Sequence, residues 1–153
     1  MNLLTEHFAL EELIDSDTAV RLGIDNRPGY HELGNLHILA HGLERIRDAL
    51  GNVPLMISSG YRSPLLNLAV KGSPKSAHVQ GLAADFRAPA FGSPREISRA
   101  LAGRLGELEI DQLIYEGTWV HVAFVDPTTD VPRGSVLTAK FDHGSVTYIP
   151  GVA

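Results

Sequence analysis

The chain has no cysteine, which removes at one stroke a disulfide scaffold, a thiolate metal site and a cysteine nucleophile. It also lacks any long apolar run. Nothing approaches the ~20 apolar residues of a membrane-spanning helix. The opening Met1-Asn2-Leu3-Leu4-Thr5-Glu6-His7-Phe8 has no basic stretch followed by an apolar core, so synthesis without a classical export signal is expected. Cations are the minority charge, 13 Lys and Arg against 18 Asp and Glu, for a formal net charge of −5. They are dispersed along the chain, so the electrostatic footprint of a nucleic-acid or anionic-membrane binder is missing. No repeat, low-complexity tract or linker interrupts the sequence, and 153 residues suit one domain, 1–153, able to bury roughly 68–70% of its extended-chain surface. A monomer is the expectation.

What is present centres on Ser76-Ala77-His78-Val79-Gln80-Gly81-Leu82-Ala83-Ala84-Asp85-Phe86, together with His121 in Trp119-Val120-His121. Leu82 to Phe86 reads as a short buried strand with Asp85 inside it. A carboxylate in an apolar strand costs several kcal/mol unless it is paired or binds a cation. His78 and Asp85 on one rigid mount, with His121 arriving from another strand, give three N and O ligands. Three protein ligands with the fourth position left to water is the pattern of catalytic zinc, whereas structural zinc closes all four, usually with cysteine.

The remaining elements frame that stretch. Phe8 to Ile14 reads as a short helical turn, Asp15 to Pro28 as loop, and Tyr30 to Leu50 as a helix with Leu33, Leu36, Leu39, Leu43, Ile46 and Leu50 at helical spacing. On that helix His37 and His41 stand at i and i+4, but the glutamate of the metalloprotease helix motif is absent, which favours exposed histidines. Val53 to Ser58 reads as a strand running into Ser59-Gly60-Tyr61-Arg62-Ser63-Pro64, where Ser63 caps a short helix from Pro64. Arg62 therefore sits at a strand-to-helix junction. It is either a bidentate clamp for a substrate carboxylate or a surface arginine capping nearby carbonyls. Lys71 to Ala77 reads as an irregular loop delivering His78, in which the Ser76 hydroxyl either serves the site or caps the loop. Ser93-Pro94-Arg95-Glu96 is a capping box that opens a helix to about Leu105.

Asp111 to Glu116 and Trp119 to Val125 read as strands joined by Gly117-Thr118 in a tight hairpin. In that register Ile114 faces His121 and Glu116 faces Trp119, so Glu116, Trp119 and His121 share a face. Glu116 is then a diagonal neighbour of His121, roughly 7–8 Å away between backbones. It is either a general base for a metal-activated water or an edge glutamate beside a turn. A second hairpin, Ser135 to Phe141 and Val146 to Ile149, turns at Asp142 to Ser145.

Taken together, Ser59-Gly60-Tyr61-Arg62-Ser63, Ser76-Ala77-His78 with Gly81 and Ala83-Ala84-Asp85, and Trp119-Val120-His121 resemble the zinc D-Ala-D-Ala carboxypeptidase family. That family contains bacterial and phage peptidoglycan peptidases and shares its fold with the vancomycin-resistance dipeptidases and the Hedgehog signalling domain. The resemblance implies an α+β domain with a small, mostly antiparallel sheet and helices packed on one side. It further implies one Zn2+ held by His78, Asp85 and His121, with Arg62 and Ser76 holding a peptidoglycan stem peptide. Glu116 as base departs from relatives with Glu-x-x-His, since four residues separate it from His121, and Thr118 at the relatives' position cannot serve. The expected activity is hydrolysis of wall peptides, carboxypeptidase-like or of the endolysin type, acting on the cell wall, with phage-mediated release as one route to it. A non-catalytic zinc-stabilised wall-binding domain or a phage virion component is the alternative.

Overall fold

The computed structural model describes residues 2–153. Its helices are α1 (Leu10–Ile14), α2 (Asp17–Leu22), α3 (Tyr30–Ala49), α4 (Pro64–Ala69), α5 (Ala77–Gln80) and α6 (Pro94–Ala102). Its strands are β1 (Met56–Ser59), β2 (Ala83–Arg87), β3 (Gln112–Tyr115), β4 (Val120–Ala123), β5 (Ser135–Asp142) and β6 (Ser145–Pro150). They form one sheet in the order β1-β2-β4-β3-β5-β6. Every pairing is antiparallel except β3 with β5. The α+β architecture expected from the sequence is therefore present. No described helix is long and apolar enough to cross a membrane.

Local chemistry accounts for most boundaries. Ser63 accepts the Leu66 N–H and Ser93 the Glu96 N–H, each with proline at the start of the helix that follows, as helix N-termini favour. The first disagreement with the sequence reading lies between Asp15 and Pro28, where α2 occupies part of the expected loop. Ser16 accepts the Ala19 N–H and Gly23 closes the helix in the left-handed region at φ 67°. That serine cap and glycine stop were legible signals, but the helix has only 6 residues, too few for apolar periodicity to register. The second disagreement concerns His78, which stands on the single-turn helix α5 and not in irregular loop.

The long helix α3 lays Leu36, Leu39, Leu43 and Ile46 into the core with Ile97 and Leu101 of α6. These meet Ala84 and Phe86 of β2, Leu113 of β3 and Val120 and Val122 of β4. Because successive strand side chains alternate between faces, the residues between them point the other way. Ser59, Asp85, His121, Ile114 and Leu137 are register partners across five strands, so they form one row on the face away from this core. The hydrophobic face fixes the register, and the register in turn assembles the polar row.

Candidate metal centre

Asp85 is at the middle of that row. One oxygen, Oδ1, lies 2.9 Å from His121 Nδ1 and 3.3 Å from His78 Nε2. His78 and Asp85 are buried, and the two imidazole rings stand 5.1 Å apart between centroids. Suitable ligand atoms of all three residues lie within 4.8 Å of one another.

The placement of His78 is determined by its neighbours. Gly81 ends α5 at φ 78°, and a Cβ there would come within 2.9 Å of the Glu32 carbonyl oxygen, so glycine is required both for the backbone angle and for the close approach. The chain then turns directly into β2. His78 donates from Nδ1 to the Gly60 carbonyl at 2.7 Å, which fixes the neutral tautomer with a bare Nε2 aimed at Asp85. Such a hydrogen bond from the remote ring nitrogen is the usual support for a metal-binding histidine.

This arrangement calls for a cation. Nε2 and Oδ1 are both acceptors, 3.3 Å apart. Burial pushes the His78 pKa down, which disfavours a bridging proton. Burial alone would raise the Asp85 pKa, but the hydrogen bond from His121 and the closeness of both imidazoles outweigh it and hold the carboxyl well below its ordinary range. Bonds of ~2.0–2.1 Å to a tetrahedral ion place ligand atoms roughly 3.3 Å apart, which is the separation of His78 Nε2 from Asp85 Oδ1, while His121 Nδ1 stands closer to that oxygen at 2.9 Å. Two imidazoles and a carboxylate without thiolate form a donor set that suits zinc.

Arg62 is drawn into the same network. Its guanidinium lies 3.6 Å from Asp85 Oδ2 and donates to Ser59 Oγ and Asn67 Oδ1, both at 3.3 Å. Its backbone N–H donates to the His78 carbonyl at 3.0 Å. Ser76 caps α5 by accepting the His78 N–H at 3.2 Å, and it also lines the cavity beside the metal ligands. That cavity holds about 430 Å³ and is bounded by Ser73, Lys75, Glu116, His121, Leu137 and Tyr148, among others. Glu116 is half-buried at its edge, where burial and the Asp85 charge push its pKa up. The hairpin has the expected register, with Ile114 opposite His121 and the Glu116 N–H donating to the Trp119 carbonyl at 3.1 Å.

Against this geometry, a family model for Peptidase M15 matches residues 6–123. The chain belongs to this family. A search of curated proteins returned no match. The M15 assignment agrees with the resemblance to zinc D-Ala-D-Ala carboxypeptidases, and M15 peptidases are zinc-dependent. The matched segment contains Arg62, Ser76, His78, Asp85, Glu116 and His121 and ends with β4, leaving β5 and β6 outside it.

Several contributors had no role assigned from sequence. Gly60 supplies the carbonyl that holds His78. Asn67 accepts from Arg62 and donates to the Ser73 carbonyl at 2.8 Å, tying the 71–75 loop to the site. Leu137 and Tyr148 build a wall of the cavity from strands distant in sequence. A polar residue buried in the otherwise apolar α4 is a weak signal for Asn67, and nothing local marks Leu137 or Tyr148. By contrast, His37 and His41 are exposed on α3.

Proposed function

We propose that the protein hydrolyses peptide bonds in peptidoglycan stem peptides, with one zinc ion held by His78, Asp85 and His121. The observation that carries this reading is the three-ligand set, with His78 and Asp85 buried and His121 partly exposed, opening onto a cavity edged by Glu116. When bound, zinc polarises the scissile carbonyl and lowers the pKa of a coordinated water from 15.7 toward ~7. Glu116 accepts a proton from the attacking water and later delivers it to the leaving amine. The upward push on its pKa moves a carboxylate closer to the operating pH, where general acid and base roles are both efficient.

Arg62 keeps Asp85 oriented and adds positive charge for a stem-peptide carboxylate. The Ser76 hydroxyl oxygen accepts from the backbone of α5, which leaves its O–H free to donate to substrate in the cavity. A half-buried carboxylate beside the ligands supports catalysis over a purely wall-binding role, which would not need one. The protein reaches its substrate at the cell wall after release from the cell in which it is made.

The test is digestion of purified peptidoglycan with the zinc-loaded protein, followed by mass spectrometry of new amino and carboxyl ends. Those ends identify the cut bond, whether terminal D-Ala-D-Ala or internal to the stem. Intact peptidoglycan after incubation with fully metallated protein would reject the reading.

A further inference from the structure

The cavity beside His121 and Glu116 continues past the metal ligands. A second cavity of about 480 Å³ includes His31, Gln80, Phe124, Asp126 and Asp130 in its lining, and the two share Lys75, Ala77 and Arg133. Two permanent cations therefore stand on the common rim, in different states. Arg133 is committed, donating from Nε and Nη2 to both carboxylate oxygens of buried Asp111 at 2.7–3.2 Å. Lys75 is exposed, and among the described residues its ammonium has neither ion-pair nor hydrogen-bond partner; the loop is held instead through backbone groups such as the Lys75 N–H on Ser73 Oγ.

Among the described residues that line the metal cavity, Lys75 and Arg133 are the lysine and arginine side chains. Ile114, Leu137 and Tyr148 give its β-sheet wall apolar surface alongside the polar Gln112, Glu116 and His121. Asp126 and Asp130 make the interior of the second cavity unfavourable for a carboxylate. A peptide lying through both cavities covers Lys75 from two sides, and an ammonium taken out of water needs an anion.

We propose that Lys75 anchors a subsite for a free carboxylate on the peptide substrate, one residue or more from the scissile bond. The proposal rests on the peptidase reading above and deepens it: the preferred substrate is an acidic peptide whose carboxylate is not the one at the cut. Amidation of that carboxylate, a neutral and nearly isosteric change, is then the chemistry that weakens recognition.

The experiment uses synthetic stem peptides in which each free carboxylate is converted in turn to a carboxamide. Zinc-loaded wild type and Lys75→Met are assayed for kcat/KM, and binding is measured by calorimetry on zinc-loaded Glu116→Gln with and without Lys75→Met. For one position, amidation lowers wild-type kcat/KM and affinity about tenfold, consistent with loss of one charge-assisted hydrogen bond. Lys75→Met shows the same loss with the acid peptide, no further loss on amidation, and recovery in Lys75→Arg. Equal responses of wild type and Lys75→Met to every amidation would overturn the subsite while leaving the peptidase reading intact. Wild type that neither cleaves nor binds any of the peptides would remove both, and that failure is visible before any variant is made.

Discussion

Asp85 and His121 are direct cross-strand partners of β2 and β4, and their side chains meet at 2.9 Å between Oδ1 and Nδ1. Two of the three candidate metal ligands are thus part of the sheet register itself. Zinc binding is therefore expected to stabilise the fold as well as enable turnover. Free zinc at 100 times its dissociation constant adds ~2.7 kcal/mol, which for a domain of this size raises Tm by roughly 5–10 °C. Scanning fluorimetry after chelation and after zinc addition measures the shift, and Asp85→Asn should largely abolish it. Identical melting and activity with and without chelator would exclude a zinc site here.

Glu116 stands beside the ligands without belonging to the clustered set. Glu116→Gln is expected to keep stoichiometric zinc and peptide binding while kcat falls by ~10²–10⁴, the usual contribution of a positioned general base. Metal content by elemental analysis and steady-state kinetics separate the two effects. A variant turning over at the wild-type rate places the base on another residue.

Much of this site was legible because short-range rules coincided with the fold. A buried aspartate in an apolar strand and a two-residue hairpin loop constrain where Asp85 and His121 point, whereas the single turn of α5 that carries His78, closed at once by Gly81, read as irregular loop. The α2 helix was missed because its 6 residues are fixed by a serine cap and a glycine stop rather than by periodicity. Leu137 reaches the site through a parallel pairing of β3 with β5, a long-range choice that no local pattern encodes. Tyr148 follows from the same pairing, one strand further out. The placement of Arg62 against Asp85 depends on Asn67 and Ser59 in three dimensions and could only be left open from its place in the chain.

Gly60 links the N-terminal segment to the metal centre. Its carbonyl holds His78, and a Cβ at this position would collide with the Leu13 carbonyl oxygen, which itself accepts the Tyr61 N–H at 2.8 Å. Backbone cannot yield as a side-chain tip can. Gly60→Ala is expected to cost ~1–3 kcal/mol in stability, the range for overpacking. It should also weaken zinc binding by 10–100-fold through loss of His78 orientation. Urea unfolding of the chelated protein reads the first effect and zinc titration the second. A variant with normal stability and zinc affinity would show that the α1 contact is not coupled to the ligand.

Asp111 and Arg133 make a separate, pH-dependent clamp. Asp111 donates its N–H to the Ala123 carbonyl and accepts the Ser135 N–H, each at 2.9 Å, so it sits where β3, β4 and β5 converge. Burial pushes its carboxyl up, but the side-chain and backbone hydrogen bonds from Arg133 outweigh this and hold its pKa below the ordinary range. A depressed carboxylate contributes stability that is complete above its unfolded pKa of ~3.9 and is lost as pH falls through the lower folded value. Because the Arg133 side chain is 63% exposed, solvent screening limits the contribution to about 1 kcal/mol. Arg133→Met should therefore be less stable than wild type by about that amount at pH 7, with the gap constant down to about pH 5 and closing in stronger acid. Paired thermal melts of the two chelated proteins across that range measure the gap. A difference that persists undiminished after Asp111 is protonated would mean that Arg133 stabilises the crossover by packing and not by charge.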